Sequence, residues 1–254
     1  MTWTIKNIKD IRMKSPVFIE GLPGIGNVGK IAIDLVIDEL KAQKIVDLFS
    51  YSLPNSVFVN EDNMVELPKI ELFYKKVGKQ DFIFLSGDVQ PTEEHASYEF
   101  AETILNIIEG YGCTEIITLG GIGLSNIPKQ PKVYCTGNSK EFMQEFKKQG
   151  AHTNIYGVVG PIIGISGLLL GLAKKRKIRA IALLSETYGH PLYIGLAGAK
   201  EILNILQAKY KFTISLKELE DEIKEFEKQI VTQPGSGQPI AKKYLKYKDT
   251  SYIG

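Results

Sequence analysis

Three stretches of this chain put polar or conformationally permissive residues beside apolar segments, where chemistry could take place. In Ser86-Gly-Asp88-Val-Gln90-Pro-Thr92-Glu93-Glu94-His95, the side chains of Asp88, Glu93 and His95 could form an acid–base cluster near a strand end. Glu93 and Glu94 equally suit the first turn of a helix with Thr92 as its cap, and capping is the expected role. Ser185-Glu186-Thr-Tyr-Gly-His190-Pro likewise places Glu186 and His190 just beyond an apolar run. The third stretch is Gly21-Leu-Pro23-Gly24-Ile-Gly26-Asn-Val-Gly29-Lys30, which contains G-x-G-x-x-G between a predicted strand and a predicted helix.

That context is the one a dinucleotide-binding turn requires, with Gly24, Gly26 and Gly29 as cofactor-binding candidates and Asp47 as the ribose-binding acid. Asp47, however, falls inside a strand pattern, and Pro23 stiffens the turn. A glycine turn that lets strand and helix pack closely explains the same residues, and no cofactor is expected. A Walker loop is excluded, because Ile31 stands where Ser or Thr should follow the lysine. Two more glycine-rich segments, Leu119-Gly-Gly-Ile-Gly123-Leu-Ser-Asn126 and Gly157–Gly167, suit crevice walls or close packing.

The 3 histidines are His95, His152 and His190, and no H-E-x-x-H or G-x-S-x-G occurs. Cys113 and Cys135 have no metal-type spacing and suggest a reducing, cytoplasmic setting. No metal site and no nucleophile can be named, so the chain is not expected to be an enzyme.

The elements that must position these groups alternate along the chain. Strands are predicted at 17–21, 44–50, 81–86, 115–120 and 179–185, and helices at 30–41, 93–110, 139–149, 168–175, 196–209 and 216–231. Val57–Val59 and Ile70–Tyr74, joined through Asn60-Glu-Asp-Asn63, suggest a hairpin. The pattern predicts an α/β fold with a mostly parallel sheet flanked by helices. The last helix aligns Leu216, Leu219, Ile223, Phe226 and Ile230 on one stripe, to pack on the body or on another subunit.

With 254 residues, 44% of them hydrophobic, the chain can bury a sizeable core. The 31 basic and 29 acidic residues give a net charge of +2, which makes no case for a nucleic-acid partner. The start lacks a secretory-signal pattern. The apolar stretch 157–173 holds five glycines, a proline and a serine, is short against the ~20 residues of a membrane span, and is expected to be buried. Residues 1–232 form the predicted folded unit. Residues 233–254 open with Gln-Pro-Gly-Ser-Gly, are rich in Lys and Tyr, and are expected to be a flexible partner-binding tail.

Several segments together, in this order, resemble the PAC2 family of proteasome assembly chaperones and its archaeal members. They are Phe18-Ile-Glu-Gly21-Leu-Pro-Gly24-Ile-Gly26-Asn27-Val28-Gly29, Leu85-Ser-Gly87-Asp-Val-Gln90-Pro91, Leu119-Gly-Gly-Ile-Gly123, the Gly157–Gly171 loop and Ser185-Glu186-Thr187. The resemblance covers roughly residues 10 to 230. It implies a sandwich similar to purine nucleoside phosphorylases and ATP-independent assistance in assembling the proteasome core particle, by a homo-oligomer. Implied partners are proteasome subunits or companion assembly factors. Proteasome-binding members often end in hydrophobic–Tyr–any. Here Tyr252-Ile253-Gly254, the expected partner-binding residues, place the Tyr third from the end, one residue or ~3.3 Å of extended chain out of register. The alternative is a nucleotide- or nucleoside-binding enzyme that uses the glycine-rich crevice.

Overall fold

Runs of branched and aromatic residues become strands here, and apolar residues spaced three and four apart become helices. The structure, a computed structural model, describes residues 3–60, 62–155, 157 and 160–232. The chain begins β1 (Thr4–Asn7), β2 (Val17–Gly21), α1 (Val28–Glu39), β3 (Gln43–Phe49), β4 (Phe58–Val59), β5 (Val65–Glu66), β6 (Ile70–Val77) and β7 (Gln80–Gly87). It continues with α2 (Glu94–Gly110), β8 (Glu115–Leu124), β9 (Val133–Gly137), α3 (Lys140–Lys147), α4 (Ile165–Lys175), β10 (Arg179–Tyr188), α5 (Leu196–Tyr210) and α6 (Lys217–Thr232).

Eight strands form one sheet in the order β1-β3-β6-β7-β2-β8-β10-β9. The predicted α/β architecture holds, and the sheet is mixed. Its parallel pairings are central, joining β7, β2, β8 and β10, while the pairings toward both edges are antiparallel. β2 is buried at every position, as a strand covered on both faces must be. Its alternating side chains feed two cores. Ile19 joins Phe82, Phe84, Ile117 and Leu183 under α1, α3 and α5. Phe18 joins Ile83, Ile116 and Ala182 under α2 and α4. The amphipathic α6 packs on the body, with Leu219 fully buried and Lys200 Nζ 2.9 Å from Glu220 Oε1.

Several expectations need correction. Val57–Val59 does not pair with Ile70–Tyr74. β4 pairs with β5, because Asn60 turns the chain, its Oδ1 accepting from the Asp62 and Met64 amides. β6 instead joins the main sheet between β3 and β7. The edge strand β1 was not anticipated; beside it Trp3 stacks on Phe100 with centroids 4.6 Å apart. β9 was also unforeseen and pairs with β10. β8 does not end at its glycines but runs through them to Leu124. Stretch 157–173 is buried only in part. Ile165, Leu169 and Leu170 are core residues, but Ile163 is 86% exposed. Among the described residues, no helix is long and apolar enough to cross a membrane.

The packing of α1 on the sheet depends on two glycines at van der Waals limits. A Cβ on Gly29 would lie 2.2 Å from the Leu119 carbonyl oxygen, and one on Gly21 2.3 Å from the Gly29 carbonyl oxygen. Gly29→Ala is therefore expected to destabilise the fold by about 3 kcal/mol. Gly110→Ala, in a helix with nothing within 4 Å, should leave stability unchanged or raise it by about 0.5–1 kcal/mol. Chemical denaturation of both variants checks this contrast.

Candidate functional site

The glycine-rich ends of the central strands converge on a cleft of about 530 Å³. Its walls include Leu22–Ile25 after β2, Gln90 after β7, Gly120–Gly123 of β8, Gly160–Ile163 and Ser166 at the start of α4, and Leu184 of β10. Adjacent parallel strands β2 and β7 lead to α1 and α2 on opposite faces of the sheet. Ligands bind in α/β proteins at such a reversal, outside the carboxyl ends of the strands. No charged side chain lines this cleft among the described residues.

The turn after β2 is shaped by backbone contact. Gly26 has φ +61°, and a Cβ there would sit 2.8 Å from Thr187 Oγ1. A Cβ on Gly121 would lie 2.3 Å from the Ile25 carbonyl oxygen. Gly26 and Gly29 thus have steric reasons to be glycine, whereas Gly24 has nothing within 4 Å of its Cβ position and faces the cleft. Gln90 closes one side. Its Nε2 donates to the Pro23 carbonyl at 2.6 Å, and its Oε1 accepts from the Ile165 amide at 3.2 Å.

Beneath the cleft lies Glu20, a fully buried carboxyl within an otherwise apolar strand. The Leu22 N–H donates to its Oε1 at 2.9 Å, and the Ser166 hydroxyl donates to its Oε2 at 3.0 Å. Burial raises its pKa from the ordinary 4.5 to about 7, and the two hydrogen bonds pull the other way without cancelling the effect. Thr118 is directly opposite on β8, and its buried Oγ1 makes no hydrogen bond among the described residues. A second polar cluster sits over β7, where Ser86 Oγ donates to Asp34 Oδ1 at 2.6 Å and Lys30 Nζ lies 2.5 Å from Asp34 Oδ2.

A sequence profile of the PAC2 family matches residues 18–233. The chain belongs to the PAC2 family. An uncharacterized protein of Methanocaldococcus jannaschii is 31% identical over 253 residues, which cover 95% of this chain and 96% of that one. The structure is similar to PbaB of Pyrococcus furiosus, an archaeal proteasome activator, with a TM-score of 0.83 and 32% identity. That match covers 91% of this chain and 98% of PbaB. It also shares its fold with Pyrococcus furiosus PbaA, an archaeal homolog of proteasome-assembly chaperone, at a TM-score of 0.73 and 24% identity over 90% and 95% of the two chains.

This PAC2 chain disperses most of the polar residues singled out by their sequence context. Glu93, not Thr92, caps α2, accepting from the Ala96 amide at 2.9 Å. Asp88 accepts from the Lys69 amide at 2.9 Å, and the side chain of His95 is 78% exposed beside Glu99. Glu186 accepts from the Lys132 amide and the Tyr134 hydroxyl, and His190 Nδ1 accepts from the Leu192 amide. None of them lines the cleft. Asp47 pairs with Lys44 at 3.0 Å in β3, which β6 and β7 separate from β2, so it is not at a ribose-binding position. The thiols of Cys113 and Cys135 are both pushed up to about 12 by burial. Tyr252, Ile253 and Gly254, with the rest of 233–254, lie outside the described residues.

Glu20, Gln90 and Ser166 are the residues that sequence reasoning passed over. The available signal was a carboxylate inside Val-Phe-Ile-Glu-Gly, where an apolar side chain belongs.

The raised pKa has a consequence for stability. The folded state holds the Glu20 proton more tightly than the unfolded chain does, so this contribution is fully present below pH 4.5. It is lost as pH rises through about 7. Relative to Glu20→Gln, the wild-type fold should lose about 3 kcal/mol across that window. Unfolding free energies of both proteins at pH 4.5, 6 and 8 measure the difference.

Proposed function

We propose that this PAC2 protein acts by binding the proteasome core particle or its subunits as an ATP-independent assembly or activation factor, and that it works as a homo-oligomer. The similarity to the Pyrococcus furiosus proteasome activator over nearly the full length of both chains carries this reading. The family match over residues 18–233 supports it.

Two features suit a binding role. The β4–β5 ribbon presents Val57, Val59, Met64, Val65 and Leu67, each more than half exposed, which is the kind of apolar patch that marks interaction surfaces. The segment 233–254, ending Tyr252-Ile253-Gly254, is the proposed element for capturing a partner. The proposed contact is with a proteasome subunit or a companion assembly factor.

Capture of archaeal proteasome α subunits without ATP provides the test, using the full chain and a version ending at Thr232. The full chain should retain the subunits, and the shortened version should bind roughly tenfold more weakly or worse. Failure of the full chain to capture α subunits or assembled core particles contradicts the reading. Equal capture by the two versions removes the tail from it.

A further inference from the structure

The floor of the cleft holds an arrangement that a binding role does not need. Ser166 faces the cleft, and its hydroxyl donates to the fully buried Glu20 at 3.0 Å. Glu20 is itself fixed by the Leu22 N–H at 2.9 Å. Nucleophile, base and a group orienting the base are thus linked in series, within hydrogen-bond reach of one another. Ser166 also occupies the first turn of α4, where backbone N–H groups have no intrahelical acceptors and the helix dipole favours developing negative charge. Gly164, which precedes the helix, has φ +88° and no side chain to cap it, and Gln90 Oε1 takes the Ile165 amide.

The bonds of Glu20 tie β2 to α4, and an ionisable group buried at that tie has chemical consequences as well. A glutamine at position 20 has one acceptor oxygen, so the two bonds on separate oxygens call for a carboxylate. Among the described residues no cation is paired with Glu20, and the opposing Thr118 hydroxyl finds no partner. A buried, unpaired carboxyl costs stability when ionised, and such groups gather at functional sites. Its raised pKa, about 7, suits a general base at neutral pH.

We propose that Ser166 is a nucleophile activated by Glu20, and that the cleft takes small, uncharged esters with an apolar acyl group. Ser166 Oγ bonds to the acyl carbon as its proton passes to Glu20 Oε2. The tetrahedral oxyanion forms beside the first turn of α4, which carries Ser166. Its collapse breaks the bond to the alcohol oxygen, which leaves with the proton from Glu20. Water, deprotonated by the same carboxylate, then hydrolyses the acyl-serine, releasing the carboxylic acid and restoring Ser166. The substrate class follows from a lining that includes Leu22, Ile25, Ile122, Ile162 and Leu184 and has no charged side chain among the described residues. This chemistry is independent of proteasome binding.

The test is covalent labelling of the full chain with an alkyl fluorophosphonate, which loses fluoride to an activated serine. Intact mass and peptide mapping should show one adduct, on Ser166. Ser166→Ala should abolish it, and Glu20→Gln should slow it roughly 100-fold. The wild-type labelling rate should rise with pH through about 7 as Glu20 ionises, and Glu20→Gln should lack that rise. Thermal unfolding of each variant confirms that it remains folded under the assay conditions. If Glu20→Gln does not fold, the Ser166→Ala result and the wild-type pH profile decide. No adduct on Ser166, or labelling of wild type that is flat with pH, overturns the proposal.

Discussion

The carboxyl of Glu20 joins two parts of the fold that are far apart in sequence. One oxygen holds the turn that leaves β2, and the other holds the first turn of α4, 146 residues later. Gln90 makes a parallel link between the same two regions, from Pro23 to Ile165. Together these bonds set the distance between the glycine turn and α4, and that distance is the width of the cleft. Two apolar residues could pack at the same place, but they would not fix both backbone segments by directed bonds. The site therefore depends on a polar contact in the middle of an apolar sheet.

Around that contact the glycines act mainly as spacers. Gly21, Gly29 and Gly121 let main chain approach main chain where any side chain would collide. α1 consequently sits close over β8, and the short turn from Ile25 to Asn27 lies against β8 and β10. A dinucleotide-binding turn uses similar residues for a different purpose, leaving room for a pyrophosphate. Here Gly26 and Gly29 meet protein atoms instead, while Gly24 faces the cleft. Asp47, the acid whose spacing suits a ribose, pairs with Lys44 on β3, which β6 and β7 separate from β2.

Elements with strong periodicity were legible in the sequence. β2 matched its predicted span, and α5 and α6 lay within a residue of theirs. What escaped depended on tertiary partners. β1 is a short exposed edge strand with no apolar alternation, and it exists because β3 offers a free edge. The hydrophobic pattern does not distinguish the pairing of β4 with β5 from one with β6. The turn bonds of Asn60 decide it. Glycines at 120, 121 and 123 suggested a strand end, yet β8 continues through them because β10 pairs with it as far as Leu124. The contact between Glu20 and Ser166 was least accessible of all, since neither residue carries a local sign of its distant partner. The PAC2 resemblance located the fold, whereas the site's chemistry required the spatial arrangement.

Surfaces and cleft have separate requirements on this scaffold. An exposed apolar ribbon suits association with other chains, while a cleft above a buried acid suits a small molecule. Both depend on the sheet and the glycine contacts, but the cleft alone depends on the state of one carboxyl group. The most direct measurement is a carbon-13 NMR titration of the glutamate side-chain carboxyls in the folded protein, with Glu20 assigned by its loss in Glu20→Gln. The account predicts a midpoint of about 7 for Glu20, well above the ordinary 4.5. A Glu20 midpoint near 4.5 would contradict it.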